Sequence, residues 1–146
     1  FEQDFVDSLR CIPMVVRFKL DTCGVKLKLN HWHQLSNGDR QTLVTLPCQS
    51  PAEIDAYRAH LQTLVTAMQG KPASELAIDP HPPWLENERI PAPVLEKAAS
   101  LDATITQNQW QSLTPLQRFA LIKLSRPGHE NRNFLPALQE FGLNIP

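Results

Sequence analysis

The feature that most constrains this chain is an internal match at an offset of 78 residues. The segment Ile12 to Lys19 (IPMVVRFK) falls on Ile90 to Lys97 (IPAPVLEK), and Asn30 to Leu46 falls on Asn108 to Leu124. Without any gap the identities are Ile12/Ile90, Pro13/Pro91, Val16/Val94, Lys19/Lys97, Asn30/Asn108, Trp32/Trp110, Leu35/Leu113, Arg40/Arg118, Leu43/Leu121 and Leu46/Leu124, ten in 35 positions. Composition alone would give about two. Such a match predicts two tandem units with the same helical plan, each too small to bury its apolar faces alone and so packed on each other as one compact domain.

Each unit reads as helical. Pro13 suits the entry to a helix, and Gly24 suits its stop. Asn30 is placed as the N-cap of a short second helix, and Ser36 and its counterpart Thr114 as caps of a third. Ser50-Pro51-Ala52-Glu53 is a capping box with proline at the first helical position. Ile54, Tyr57, Leu61, Leu64, Val65 and Met68 then recur at helical spacing up to Gly70. In the second unit Pro136 is expected to restart the last helix, with Leu138 and Phe141 facing inward. Val25-Lys26-Leu27-Lys28-Leu29 is the one stretch with period-two alternation, and no partner strand is evident for it. The expected fold is all-α: a first helical unit over 1–70, a connector over 71–89 and a second unit over 90–146. Five prolines between Gly70 and Pro91 make that connector stiff, with polyproline-II character near 80–83.

Charge excludes several functions. With 14 Lys and Arg against 15 Asp and Glu, the net charge is -1. Residues 1–70 carry seven basic and seven acidic groups and 71–146 carry seven and eight, so no basic nucleic-acid face is expected. No apolar run is long enough to span a membrane, and the opening FEQDFVDSLRCIP lacks the layout of a signal peptide. Cys11, Cys23 and Cys48 form no paired spacing, which points to reduced thiols in a cytoplasmic compartment.

Catalytic signals are scarce. Nucleophile-elbow, zincin, P-loop and dinucleotide-binding motifs are all missing, and five glycines leave little for a phosphate loop. The chain is therefore expected not to be an enzyme and to need no cofactor. His31-x-His33 with the cysteines offers a metal- or cofactor-delivery alternative. However, residues two apart on a helix diverge, and His31 and His33 fall on Gln109 and Gln111. Surface histidines and buried thiols are the expected outcome, with no metal site. Trp32 and Trp110 are expected in the core, and Arg40 and Arg118 on helix carbonyls or aromatic faces. Partner contact is expected from the basic strip Arg17, Lys19, Lys26 and Lys28. Trp84, which has no counterpart at the offset, is the second choice, against the alternative that it tucks back over the helices.

The opening D-F-V-D-S-L-R-C-I-P-M-x-V-R-x-K-L-D-x-C-G-V-K-L, continuing through Leu46-Pro47-Cys48 and the Ser50 helix, resembles the cyanobacterial nitrate-reductase-associated protein family. The resemblance implies a small soluble protein that works with assimilatory nitrate reductase, an enzyme carrying molybdopterin and an iron–sulfur cluster. It would act there as an accessory subunit or maturation factor. It brings no catalytic residues to this sequence.

Overall fold

The computed structural model describes residues 12–126 and 132–143, and among these it is all-helical, with eight α-helices and no strand. The chain divides into two compact units, one ending at Asp79 and the other beginning at Pro80.

In the first unit the helices are α1 (Met14–Cys23), α2 (Leu29–Gln34), α3 (Asn37–Thr45) and α4 (Pro51–Gln69). α1 stops at Gly24, whose φ of 75° lies in the left-handed region that costs a side chain. α3 is capped by Ser36, whose hydroxyl accepts from the Asp39 N–H. α4 starts in the reciprocal Ser50/Glu53 box and ends at Gly70, also left-handed. α2 departs from expectation. It begins at Leu29, one residue before Asn30, and the Lys28 N–H is received by Nδ1 of His31 at 3.3 Å. α1 packs on α3 and α4, and α2 packs on α4. Their shared core holds Val16, Trp32, Leu43, Tyr57, Leu61 and Val65, all nearly without exposure. The Tyr57 hydroxyl donates to the Leu43 carbonyl at 2.8 Å, so its one polar group is satisfied inside that core.

The second unit opens with a 3₁₀ turn (Pro83–Leu85) and continues with α5 (Ala92–Ser100), α6 (Gln107–Ser112), α7 (Pro115–Leu124) and α8 (Phe134–Glu140). α6 and α7 both start in reciprocal boxes, Thr106/Gln109 and Thr114/Gln117. α8 begins at Phe134, two residues before Pro136, which therefore sits in its first turn, where a missing N–H is harmless. Leu138 is buried as expected, and Phe141 is only half-buried. α7 packs on the 3₁₀ turn, on α5 and on α8, around Trp110, Phe119, Leu121, Phe134 and Leu138.

Candidate functional site

Residues 25–28 are extended between α1 and α2. Alternation places Val25 and Leu27 in the core and leaves Lys26 and Lys28 exposed on the other side. A partner for this piece does exist, in the following connector. Val25 forms an antiparallel bridge with Glu75, the Lys26 N–H donates to Ser74 O at 2.8 Å, and the Leu76 N–H donates to Gly24 O at 2.8 Å. Nothing in the composition of 73–78 marks it as a strand, which is why the pairing escaped the sequence reading. Two aliphatic side chains accompany the lysines: Leu29 is 48% exposed and Ile78, which lies against Gly24, is 51% exposed. The result is a surface of two ammonium groups beside half-exposed aliphatic carbon. That combination suits a partner with acidic groups around an apolar centre.

The other two members of the predicted strip are placed differently. Lys19 Nζ donates to the carbonyls of Val44 and Leu46, at 2.7 and 2.6 Å, and so caps the end of α3. It also lies 5.8 Å from the centre of the Tyr57 ring. Burial pulls its pKa below the usual lysine value, partly offset by the field of Cys48. Arg17 is half-buried and its Nε donates to Ile12 O at 2.9 Å, back across the start of its own helix. Only Lys26 and Lys28 of the four are therefore fully on the surface.

Trp84 is half-buried. Its ring meets Phe119 edge-on, with centroids 4.9 Å apart and planes at 84°, so it does tuck onto the helices. Arg118, 5% exposed, reaches to the same residue: its Nε donates to Trp84 O at 2.8 Å, while Nη1 donates to Leu113 O at 2.7 Å and Trp110 O at 3.3 Å. Burial lowers the Arg118 pKa. The counterpart Arg40 stays within its own helices. Its donors go to Trp32 O, His33 O and Asn37 Oδ1, and its guanidinium lies 5.8 Å from the Trp32 ring centre. Both arginines thus neutralise carbonyls at the end of a short helix below a buried tryptophan.

The histidines and thiols divide. His33 is exposed, whereas His31 is 8% exposed, which corrects the expectation that both lie on the surface. The reason is local: His31 turns back to receive the Lys28 N–H, as the matched Gln109 receives that of Thr106 at 2.8 Å. Desolvation, then the Lys28 charge, pulls the His31 pKa down. Cys23 and Cys48 are buried free thiols. Burial and the neighbouring Cys48 push Cys23 up to about 11, against the opposing field of Arg58, and burial likewise raises Cys48. Both are protonated at neutral pH, which makes them weak nucleophiles and weak ligands. Cys11 lies outside the described residues. Among the described residues no three His, Cys, Asp or Glu side chains are grouped so as to hold a metal ion, and no helix is long and apolar enough to cross a membrane.

Residues 1–141 match the family model described as conserved nitrate reductase-associated protein. The match spans nearly the whole chain, and the chain belongs to that family. No curated protein and no solved structure matches it.

Proposed function

We propose that this chain is a non-catalytic accessory protein that binds nitrate reductase and supports its activity or its maturation. The observation that carries this reading is family membership over residues 1–141, whose description names association with that enzyme. The surface around Lys26 and Lys28, bordered by Leu29 and Ile78, is the contact on the first unit, with Arg17 and Lys19 acting behind it on backbone carbonyls. The buried free thiols Cys23 and Cys48 suit a reducing, cytoplasmic compartment.

The two units are further read as one helical plan used twice. Three successive helix starts support this: Met14 and Ala92, Leu29 and Gln107, Asn37 and Pro115 are each 78 residues apart. The buried pairs Val16/Val94, Trp32/Trp110 and Leu43/Leu121 lie at the same offset. So do the left-handed residues Gly24 and Asp102.

Titration of purified nitrate reductase with the wild-type chain and with Lys26→Glu/Lys28→Glu tests the contact. Binding weaker by roughly ten-fold or more in the double variant is expected, because rim charges set both encounter and specificity. Equal affinity removes this surface from the account.

A further inference from the structure

The segment after Trp84 is held in an unusual way: its backbone is clamped and its side chains are not. The 3₁₀ turn closes with the Leu85 N–H on Pro82 O at 3.1 Å and the Glu86 N–H on Pro83 O at 3.3 Å. Side chains from α6 and α7 then take the carbonyls one after another. Arg118 Nε donates to Trp84 O, Trp110 Nε1 to Glu86 O at 3.4 Å, and Gln107 Nε2 to both Asn87 O and Glu88 O. A surface connector needs no such set of donors, since water would satisfy those carbonyls. Its effect is to fix the backbone from Trp84 to Glu88, through four of its five carbonyls, while Leu85, Glu86 and Glu88 project outward. Leu85 is 58% exposed, more than Leu29, Ile78 or Leu95. Glu86 and Glu88 are exposed on either side of Asn87. The matched arginine makes the point by contrast, because Arg40 sends its Nε to Trp32 O of α2 whereas Arg118 sends its Nε to this segment.

We propose that residues 85–88 form a second docking element, with Leu85 as an apolar anchor and Glu86 and Glu88 as acidic flanks. Its occupant is an apolar slot rimmed by Lys or Arg on the reductase surface. The proposal rests on the reading that the reductase is the partner. Two physical arguments support it. A segment ordered before binding loses little conformational freedom on docking, so its contacts count more fully toward affinity. An exposed aliphatic group followed by two like charges selects a slot of opposite charge and rejects an acidic one. In this account Trp84 is the foot of the element, seated on Phe119, and the residue that enters the partner is its neighbour Leu85.

The test is titration of purified nitrate reductase with the full chain and three variants: Leu85→Ala, Glu86→Lys/Glu88→Lys and, as a control on α5, Leu95→Ala. All four altered side chains are exposed, so circular dichroism and melting should match the wild type. Expected are losses of roughly ten-fold or more for the first two variants and no change for the control. Wild-type binding that Leu85→Ala leaves unchanged overturns this proposal alone. Loss with Leu85→Ala but none with the double charge reversal overturns the basic-rimmed slot. No binding by the wild-type chain overturns both this proposal and the accessory reading it rests on.

Discussion

Arg40 and Arg118 offer a paired experiment, because one residue type at matched positions does two different amounts of structural work. Replacing Arg118 with lysine keeps the positive charge and removes the planar fork. The fork serves three carbonyls, two of them at 2.7–2.8 Å and the third at 3.3 Å. A single ammonium on a flexible stem can keep one of these. Buried hydrogen bonds to a charged group contribute roughly 1.5–3 kcal/mol each, with the long one at the low end, so losing two of the three in Arg118→Lys should cost about 3–4.5 kcal/mol. Arg40 makes the same number of contacts but is half-exposed, and water replaces what lysine cannot reach. Arg40→Lys should therefore cost about 0.5–1 kcal/mol. For a chain of this size these become Tm losses of about 8–15 °C and 1–3 °C, read by near-ultraviolet circular dichroism. Hydrogen exchange at the Leu85 and Glu86 amides adds a local readout, since releasing the Trp84 carbonyl should speed both in Arg118→Lys and leave them unchanged in Arg40→Lys. Equal losses in the two variants, or undisturbed exchange at Leu85, would refute the reasoning that Arg118 holds the connector.

Other consequences are simpler. The depressed His31 pKa means that the unfolded chain binds a proton more readily than the folded one below the ordinary histidine range. Stability should then fall as pH drops below about 6.5, and His31→Gln, which copies the matched Gln109 cap, should flatten that slope in urea titrations at pH 7 and 5.5. Two left-handed glycines differ in their surroundings: a Cβ on Gly24 would meet Ile78 Cγ1 at 2.7 Å and Leu76 O at 2.9 Å, whereas one on Gly70 would meet nothing within 4 Å. Gly70→Ala should cost about 1 kcal/mol from backbone conformation alone and Gly24→Ala about 3 kcal/mol, by denaturant midpoint; similar midpoints would mean that the 24–26/74–76 pairing yields readily.

Much of the helical plan was legible because its signals are local. A capping box, a proline at a helix entry and a glycine at an exit act within a few residues, so α3, α4 and α7 begin where their sequence says. The buried tryptophans were legible for a different reason, since one large aromatic at the same place in two units points to a core position. What stayed hidden depends on partners distant in sequence. Lys19 looks like any surface lysine until the end of α3 arrives beneath it. Val25 finds Glu75 across a 50-residue separation that no periodicity reports. His31 read as a surface histidine because its role, receiving the N–H at the start of its own helix, is one that glutamine performs at 109. The left-handed turn at Asp102, φ 56°, was invisible because aspartate stands where the first unit has Gly24. Within the basic strip charge marks all four residues alike, and exposure, which sequence does not report, separates Lys26 and Lys28 from Arg17 and Lys19. The same missing information hides that Leu85 is more exposed than its half-buried neighbour Trp84.

The most direct test of the account is size-exclusion chromatography of this protein mixed with purified nitrate reductase, with nitrite formation assayed in every fraction. The chain is expected to co-elute with the reductase and to raise its activity. Separate elution with unchanged activity, and the same result with reductase produced in the absence of this protein, would contradict an accessory role.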